Sequence, residues 1–159
     1  MNYIGIDPGA KGGISLVTKK GTLIQAFHCP SDPNGMADVV DKIIFEITSF
    51  PLDGNNVVCY IENVWAFPTD MRSSAFKFGK NFGLWLGILA AKKLETILVS
   101  PQIWQRNYGE LPKNKKDRKN KLKSIATEIS GKKATLATAD SILIAYYGYK
   151  KDKEEQNVE

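Results

Sequence analysis

Two apolar periods divide this chain, one of strand type and one of helix type. Tyr3 to Ile6 and Gly13 to Val17 are short apolar runs joined by a glycine-rich turn, and Thr22 to Phe27 follows the Lys20-Gly21 turn. Together they predict an antiparallel meander. From Met36 to Phe50 the residues Val39, Val40, Ile43, Ile44 and Ile47 recur at helical spacing, until Pro51 and Asp53-Gly54 end the pattern. Val57 to Ile61 is continuously apolar and of strand length, which predicts a buried central strand. Ser73 to Lys92 is the longest helical pattern, and Thr96 to Val99 predicts another strand. Pro101 to Arg106 predicts a short helix with proline in its first turn. Lys119 to Ile129 and Thr138 to Tyr149 predict two closing helices. This order predicts an α/β fold, a mixed five-stranded sheet with a leading antiparallel meander, later parallel strands and flanking helices. One domain over 1–149 and a flexible charged tail over 150–159 are expected, without internal repeats or a linker.

Composition narrows the class. The 159 residues are 43% hydrophobic, enough to fill one core. No apolar run has the length of a membrane span, and Met1 leads into a strand-like run without a signal-peptide pattern, so a cytosolic location is expected. Cys29 and Cys59 lie in apolar stretches without CxxC spacing and are expected to be reduced and buried. The single histidine, His28, has only Cys29 beside it, which is too little for a zinc site. The net charge of +5 is unevenly spread: Lys113 to Lys123 alone carries +6 and the remainder −1. A block of this kind is usually a solvated surface, but it also suits a polyanion.

The candidate chemistry lies in three acids. Asp7 follows the first strand, where Pro8-Gly9 turns the chain, and Glu62 follows the apolar Val57–Ile61 run in the same way. If those strands are parallel neighbours, both carboxylates emerge at one edge of the sheet, where open α/β sheets place ligand sites. Asp140 opens the last predicted helix and supplies a third acid if that helix returns to the same edge. Taken singly, Asp7 could be a turn residue and Asp140 a helix N-terminal acid. Three converging carboxylates repel one another unless cations intervene. Oxygen ligands suit Mg²⁺, with Mn²⁺ as a substitute, and two ions about 3.5 to 4 Å apart can hold the attacking and leaving oxygens of a phosphodiester in line.

Four motifs occur in series: Ile4-Gly5-Ile6-Asp7-Pro8-Gly9, Tyr60-Ile61-Glu62-Asn63, Ser74-Ala75-Phe76-Lys77-Phe78-Gly79, and Ala139-Asp140-Ser141-Ile142-Leu143-Ile144-Ala145. In this order the chain resembles, over almost its whole length, the RuvC family of Holliday-junction resolvases, which are RNase H-like (retroviral-integrase-like) nucleases. The resemblance implies Asp7, Glu62 and Asp140 as metal ligands and catalytic residues. It also implies a Mg²⁺-dependent homodimer that makes paired symmetric nicks in four-way DNA junctions. The compact form with Gly12-Gly13 and Phe67-Pro68 looks most like versions carried by bacteriophages, acting in the bacterial cytoplasm. One departure stands out. The family usually has a fourth acidic or histidine ligand one helical turn before the last aspartate, and here that position is Ala137. Alanine cannot bind metal, so a weakened enzyme, or a junction-binding protein without catalysis, stays open as an alternative.

Trp65 and Phe67 follow Glu62, and beside a metal site they could stack on unpaired bases or else plug the core; the resemblance implies stacking for Trp65. On the long helix Gly79, Gly83 and Gly87 recur every four residues, framed by Phe78, Phe82, Trp85 and Leu86. Each glycine costs about 1 kcal/mol relative to alanine, so the stripe calls for close backbone approach, either to the sheet or to a twofold partner. The resemblance implies the partner. Lys113, Lys115, Lys116, Arg118, Lys119, Lys121 and Lys123 are candidate DNA contacts, with Leu111 to Arg118 expected as a loop that orders on phosphates. Lys119 or Lys121 is the candidate for the scissile phosphate. Lys11, Arg72, Lys77 and Lys80 extend the candidate DNA-binding set. A broader branched-DNA nuclease of the same fold is the nearest rival. An actin-like ATPase would need two related domains and a chain about twice this length.

Overall fold

Five strands are hydrogen-bonded in the order β3-β2-β1-β4-β5 in the computed structural model, which describes residues 1–49, 56–63 and 71–156. They are β1 (Asn2–Ile6), β2 (Gly13–Val17), β3 (Leu23–His28), β4 (Val57–Glu62) and β5 (Glu95–Val99). The first three pair antiparallel, as the short turns between them require, while β4 lies parallel to β1 and β5 parallel to β4. The helices are α1 (Pro33–Ser49), α2 (Arg72–Ala91), α3 (Pro101–Gln105), α4 (Lys115–Ser130) and α5 (Ala139–Gln156), with a 3₁₀ turn at Arg106–Tyr108. The mixed sheet and its helix layers are those anticipated from the two apolar periods.

Strand alternation separates two cores. Ile4, Ile6, Ile14, Leu16, Cys59 and Ile61 face α1 and α2, where Val40, Ile43, Trp85 and Leu89 are buried with them. Tyr3, Val58 and Tyr60 face the opposite layer, with Trp104, Leu122 and most of α5. Both sheet faces are therefore covered, which is why Tyr3–Ile6 of β1 and Val57–Ile61 of β4 are continuously apolar rather than alternating. The fit of α5 over β1 depends on Gly5: a Cβ there would stand 2.1 Å from the Ser141 carbonyl oxygen and 2.4 Å from the Ala145 nitrogen. Only glycine lets the helix backbone rest on the strand. A buried Ser15–Ser141 hydroxyl bond of 2.6 Å pins the same crossing to β2. The two cysteines are free and buried, as expected. Among the described residues, no helix is long and apolar enough to cross a membrane.

Two expectations are corrected at helix ends. The basic segment is helical from Lys115 rather than looped as far as Arg118: the Asn114 side chain accepts from the nitrogens of Lys116 (2.9 Å) and Asp117 (3.2 Å), a regular N-cap, and Gly131 closes the helix in the left-handed conformation. The charged segment after Tyr149 is not frayed as far as Gln156. It continues α5, and Asp152 accepts a 2.7 Å bond from the Tyr3 hydroxyl while Lys153 lies over the Tyr149 ring. Polar composition suggested a tail, but a hydrogen bond to β1 and a cation–π contact within the helix itself extend α5 there.

Candidate active site

Parallel pairing brings the first two acids together. Ile6 is in register with Ile61, so Asp7 and Glu62 occupy equivalent places at the carboxyl ends of neighbouring strands. Glu62 is the last residue of β4, one position inside the strand compared with expectation. It shares a face with Val58 and Tyr60 by strand alternation, the face crossed by α5. Asp140 is the second residue of α5 and is brought to the same rim by the Gly5 crossing. The three carboxylates line one cleft of about 340 Å³.

The turn carrying Asp7 is held from several sides. The Gly9 nitrogen donates to Asp7 Oδ1 at 3.0 Å, the Cys29 thiol donates to the Asp7 carbonyl at 3.3 Å, and Asn81 of α2 donates to the Pro8 carbonyl. Gly12 packs so closely that a Cβ would lie 2.1 Å from the Asp7 carbonyl oxygen. A larger residue would displace the acid. Glu62 Oε1 accepts from Trp104 Nε1 at 2.9 Å, and Asp140 Oδ2 lies 3.7 Å from Lys119 Nζ.

Burial raises all three acids, and the charge of Asp7 raises the other two further. For Glu62 the loss of water dominates, followed by the charge of Asp7, and its pKa rises to about 7 despite the Trp104 bond. Asp140 rises to about 6 for the same two reasons, opposed by Lys119 and Arg118. Asp7 is also raised, mainly by burial, with the Gly9 bond and Lys119 opposing. Such a set of hard oxygen donors, deficient in positive charge, suits a divalent cation. Among the described residues, no three ligand-type side chains are gathered tightly enough to grip an ion as they stand.

Cations wall the cleft. Lys115, Arg118 and Lys119, with Leu122, form one face of α4 at spacings of three and four, and all four line it; Lys11 does so from the β1–β2 turn. Lys113, Lys116, Lys121 and Lys123 do not line it, so of the two candidates for the scissile phosphate only Lys119 reaches the acids. Arg72, Lys77 and Lys80 are exposed on α2 outside the cleft. Trp65 and Phe67 fall outside the described residues. Ala137 sits on the turn just before α5 and is not among the lining residues.

The long helix splits the proposed dimer set. Trp85 is fully buried in the core beneath the sheet and cannot serve an interface; Phe82 and Leu86 are half-buried against that core. Phe78 is 38% exposed and lines the cleft instead. Gly79, Gly83 and Gly87 are exposed, and a Cβ on any of them would meet nothing within 4 Å among the described residues. The glycine stripe is thus not used against the sheet. Gln105 and Trp104 were not anticipated as site residues. Their sequence signal was a capped short helix, Ser100-Pro101, starting immediately after a parallel strand, which aims its first turn at the strand-end rim.

No protein family and no curated protein matches the sequence. Solved structures do match. Thermus thermophilus RuvC in complex with a Holliday junction substrate superimposes with a TM-score of 0.62 at 16% identity, covering 96% of each chain. A second structure of Thermus thermophilus RuvC gives 0.61 at 19% identity, covering 97% of each chain. The chain therefore has the RuvC fold, an RNase H-like mixed sheet with flanking helices, over nearly its full length.

Proposed function

We propose that this protein is a divalent-metal-dependent endodeoxyribonuclease that resolves four-way DNA junctions by paired nicks, as a homodimer. The observation that carries this reading is the cleft in which Asp7, Glu62 and Asp140 meet under a wall of Lys115, Arg118 and Lys119. It is supported by the shared fold with a RuvC bound to a Holliday junction. Asp7, Glu62 and Asp140 would hold Mg²⁺ or Mn²⁺, two ions per site, and such ions supply Lewis-acid charge for the attacking and leaving oxygens. The protein's own contribution is positional and electrostatic. Lys115 and Arg118 draw the phosphate backbone into the cleft. Lys119, balanced by Asp140 in the free protein, turns to the scissile phosphate and stabilises charge that grows in the transition state. Lys11 holds the opposite lip. Phe78 offers a ring face to the sugar or base beside the cut. The open glycine face of α2 is the twofold contact, giving two sites to a nearly twofold substrate. The setting is the cytoplasm of a bacterial host, in recombination or replication of DNA, with a bacteriophage form the nearest type.

Cleavage of labelled four-way junctions beside forks, flaps and RNA–DNA hybrids in Mg²⁺ tests this reading. Paired symmetric nicks confined to the four-way junction are expected; equal cutting of forks and flaps would instead make it a broader branched-DNA nuclease. A second reading rests on Ala137, one helical turn before Asp140, where no ligand can stand. On that reading the chain binds junctions with little or no cutting, and Ala137→Asp raises cleavage sharply while leaving affinity unchanged.

A further inference from the structure

From the geometry around β5 and α3 we infer that Trp104 is a positioning residue, which holds the Glu62 carboxylate in its metal-binding place and ties it to the helix that carries Asp140. This inference rests on the reading of Glu62 and Asp140 as metal ligands.

Each link is local and short. Glu62 is in register with Val99, and the Asn63 nitrogen donates to the Val99 carbonyl at 2.7 Å, so the start of α3 is fixed relative to the acid. Ser100 caps α3, Pro101 occupies its first turn, and Trp104 follows on that turn. The indole is fully buried, and its one polar atom donates to Glu62 Oε1 at 2.9 Å. Only one carboxylate oxygen is thereby engaged. Among the described residues Glu62 Oε2 accepts no hydrogen bond, which leaves it open to an ion. On the other side the Trp104 ring meets Tyr108 edge to face, with centroids 6.2 Å apart, and the Tyr108 hydroxyl donates to the Leu143 carbonyl of α5 at 2.5 Å. Leu143 is three residues beyond Asp140, so the brace runs from one acid to the helix bearing another.

Simple satisfaction of a buried indole does not account for this. Trp85 is just as buried, in the core on the other sheet face, and its Nε1 has no partner among the described residues. Core tryptophans in this chain are not paired as a matter of course. Donors that orient a metal-binding carboxylate typically change metal affinity by about 10- to 100-fold when removed.

The test is Mn²⁺ uptake by the DNA-free protein, followed by calorimetry, for the wild type, Trp104→Phe and Trp85→Phe. Each phenylalanine keeps a ring and loses similar packing, but only the first removes a donor to Glu62. Expected is a loss of about tenfold or more in Mn²⁺ affinity for Trp104→Phe and less than twofold for Trp85→Phe. In the wild type, the Trp104 indole N–H resonance should also shift on titration with Mg²⁺, a measurement that needs no folded variant. Equal affinity of Trp104→Phe and wild type, equal losses in both variants, or an unmoved indole resonance despite Mg²⁺ uptake would overturn the inference alone. A wild type that takes up neither ion would remove the reading on which it rests.

Discussion

Helices α2 and α4 each carry a stripe that opposes helix formation, and the two stripes are answered in different places. In α4, Lys115, Arg118 and Lys119 set like charges three and four residues apart, which disfavours the helix by a few tenths of a kcal/mol per pair. Asp7, Glu62 and Asp140 stand across the cleft from them, so part of the compensation lies within the chain. In α2, Gly79, Gly83 and Gly87 each give up about 1 kcal/mol of helix propensity, yet among the described residues nothing approaches them within 4 Å. Among the described residues this costly pattern has no internal partner, which is the observation behind the twofold contact proposed for α2. Sequence periodicity alone does not distinguish the two cases, because both stripes repeat at helical spacing.

The sharpest way to break this comparison is at the acids that answer α4. Asp7→Asn or Glu62→Gln should lower the single-turnover cleavage rate of a four-way junction by at least about 100-fold, the scale of one preorganised electrostatic contact. Gel-shift affinity should change only a few-fold. Wild-type cleavage by either variant would separate the cations of α4 from any catalytic partner.

Next in size is the cleft face of α4 itself. The double variant Lys115→Ala/Arg118→Ala should weaken junction binding by about tenfold near physiological salt and reduce the salt dependence of binding by about 0.9 in logarithmic slope per cation. Lys116→Ala/Lys123→Ala, placed away from the cleft, should do less in the same titration. Equal effects would mean that α4 presents charge without a preferred face.

The glycine stripe gives a smaller and opposite signature. Gly83→Ala should raise the stability of a dissociated chain by about 1 kcal/mol, since the added methyl enters open space. Gly83→Leu should raise the dimer dissociation constant by about tenfold or more through lost backbone approach. Thermal melts and sedimentation equilibrium read the two effects separately. A lower melting temperature for Gly83→Ala at dilutions where the wild type is monomeric would show that the face is covered within the chain.

The smallest expected effect is on stability against pH. Burial lifts Glu62 from 4.5 to about 7 and Asp140 from 3.8 to about 6, so the folded chain holds these protons more tightly than the unfolded chain. Their contribution is fully present below the unfolded values and is lost as pH rises through about 6 to 7. In chelator, the melting temperature should therefore fall by a few degrees between about pH 5 and about pH 8. Saturating Mg²⁺ should recover most of that loss at the higher pH and little at the lower. A melting temperature that rises over the same interval would contradict the raised values.

Much of the site was legible from residue order because strand ends are local features. Asp7 and Glu62 each close an apolar run, and parallel pairing of such runs places their ends side by side. Asp140 was legible as the opening acid of the last helix. The start of α4 was missed: Asn114 is an N-cap residue with Asp117 in the first turn, but the surrounding lysines made the segment read as a loop. Trp85 was not legible either, because a glycine stripe and its aromatic neighbours do not reveal which side of the helix meets the sheet. Nor were Gln105 and Phe78, which enter the cleft only through the packing of α3 and α2 around it.

By itself, the amino-acid order determined the number and kind of elements, the parallel and antiparallel halves of the sheet and the three acids at element ends. Those follow from short-range periodicity and backbone chemistry, which act over a few residues. Tertiary structure alone decided that Lys119 rather than Lys121 faces Asp140, that Trp104 grips Glu62, and that the glycine face stays open. Each of these depends on the rotation of a helix about its axis against a distant partner, and that rotation is set by close packing across the whole layer.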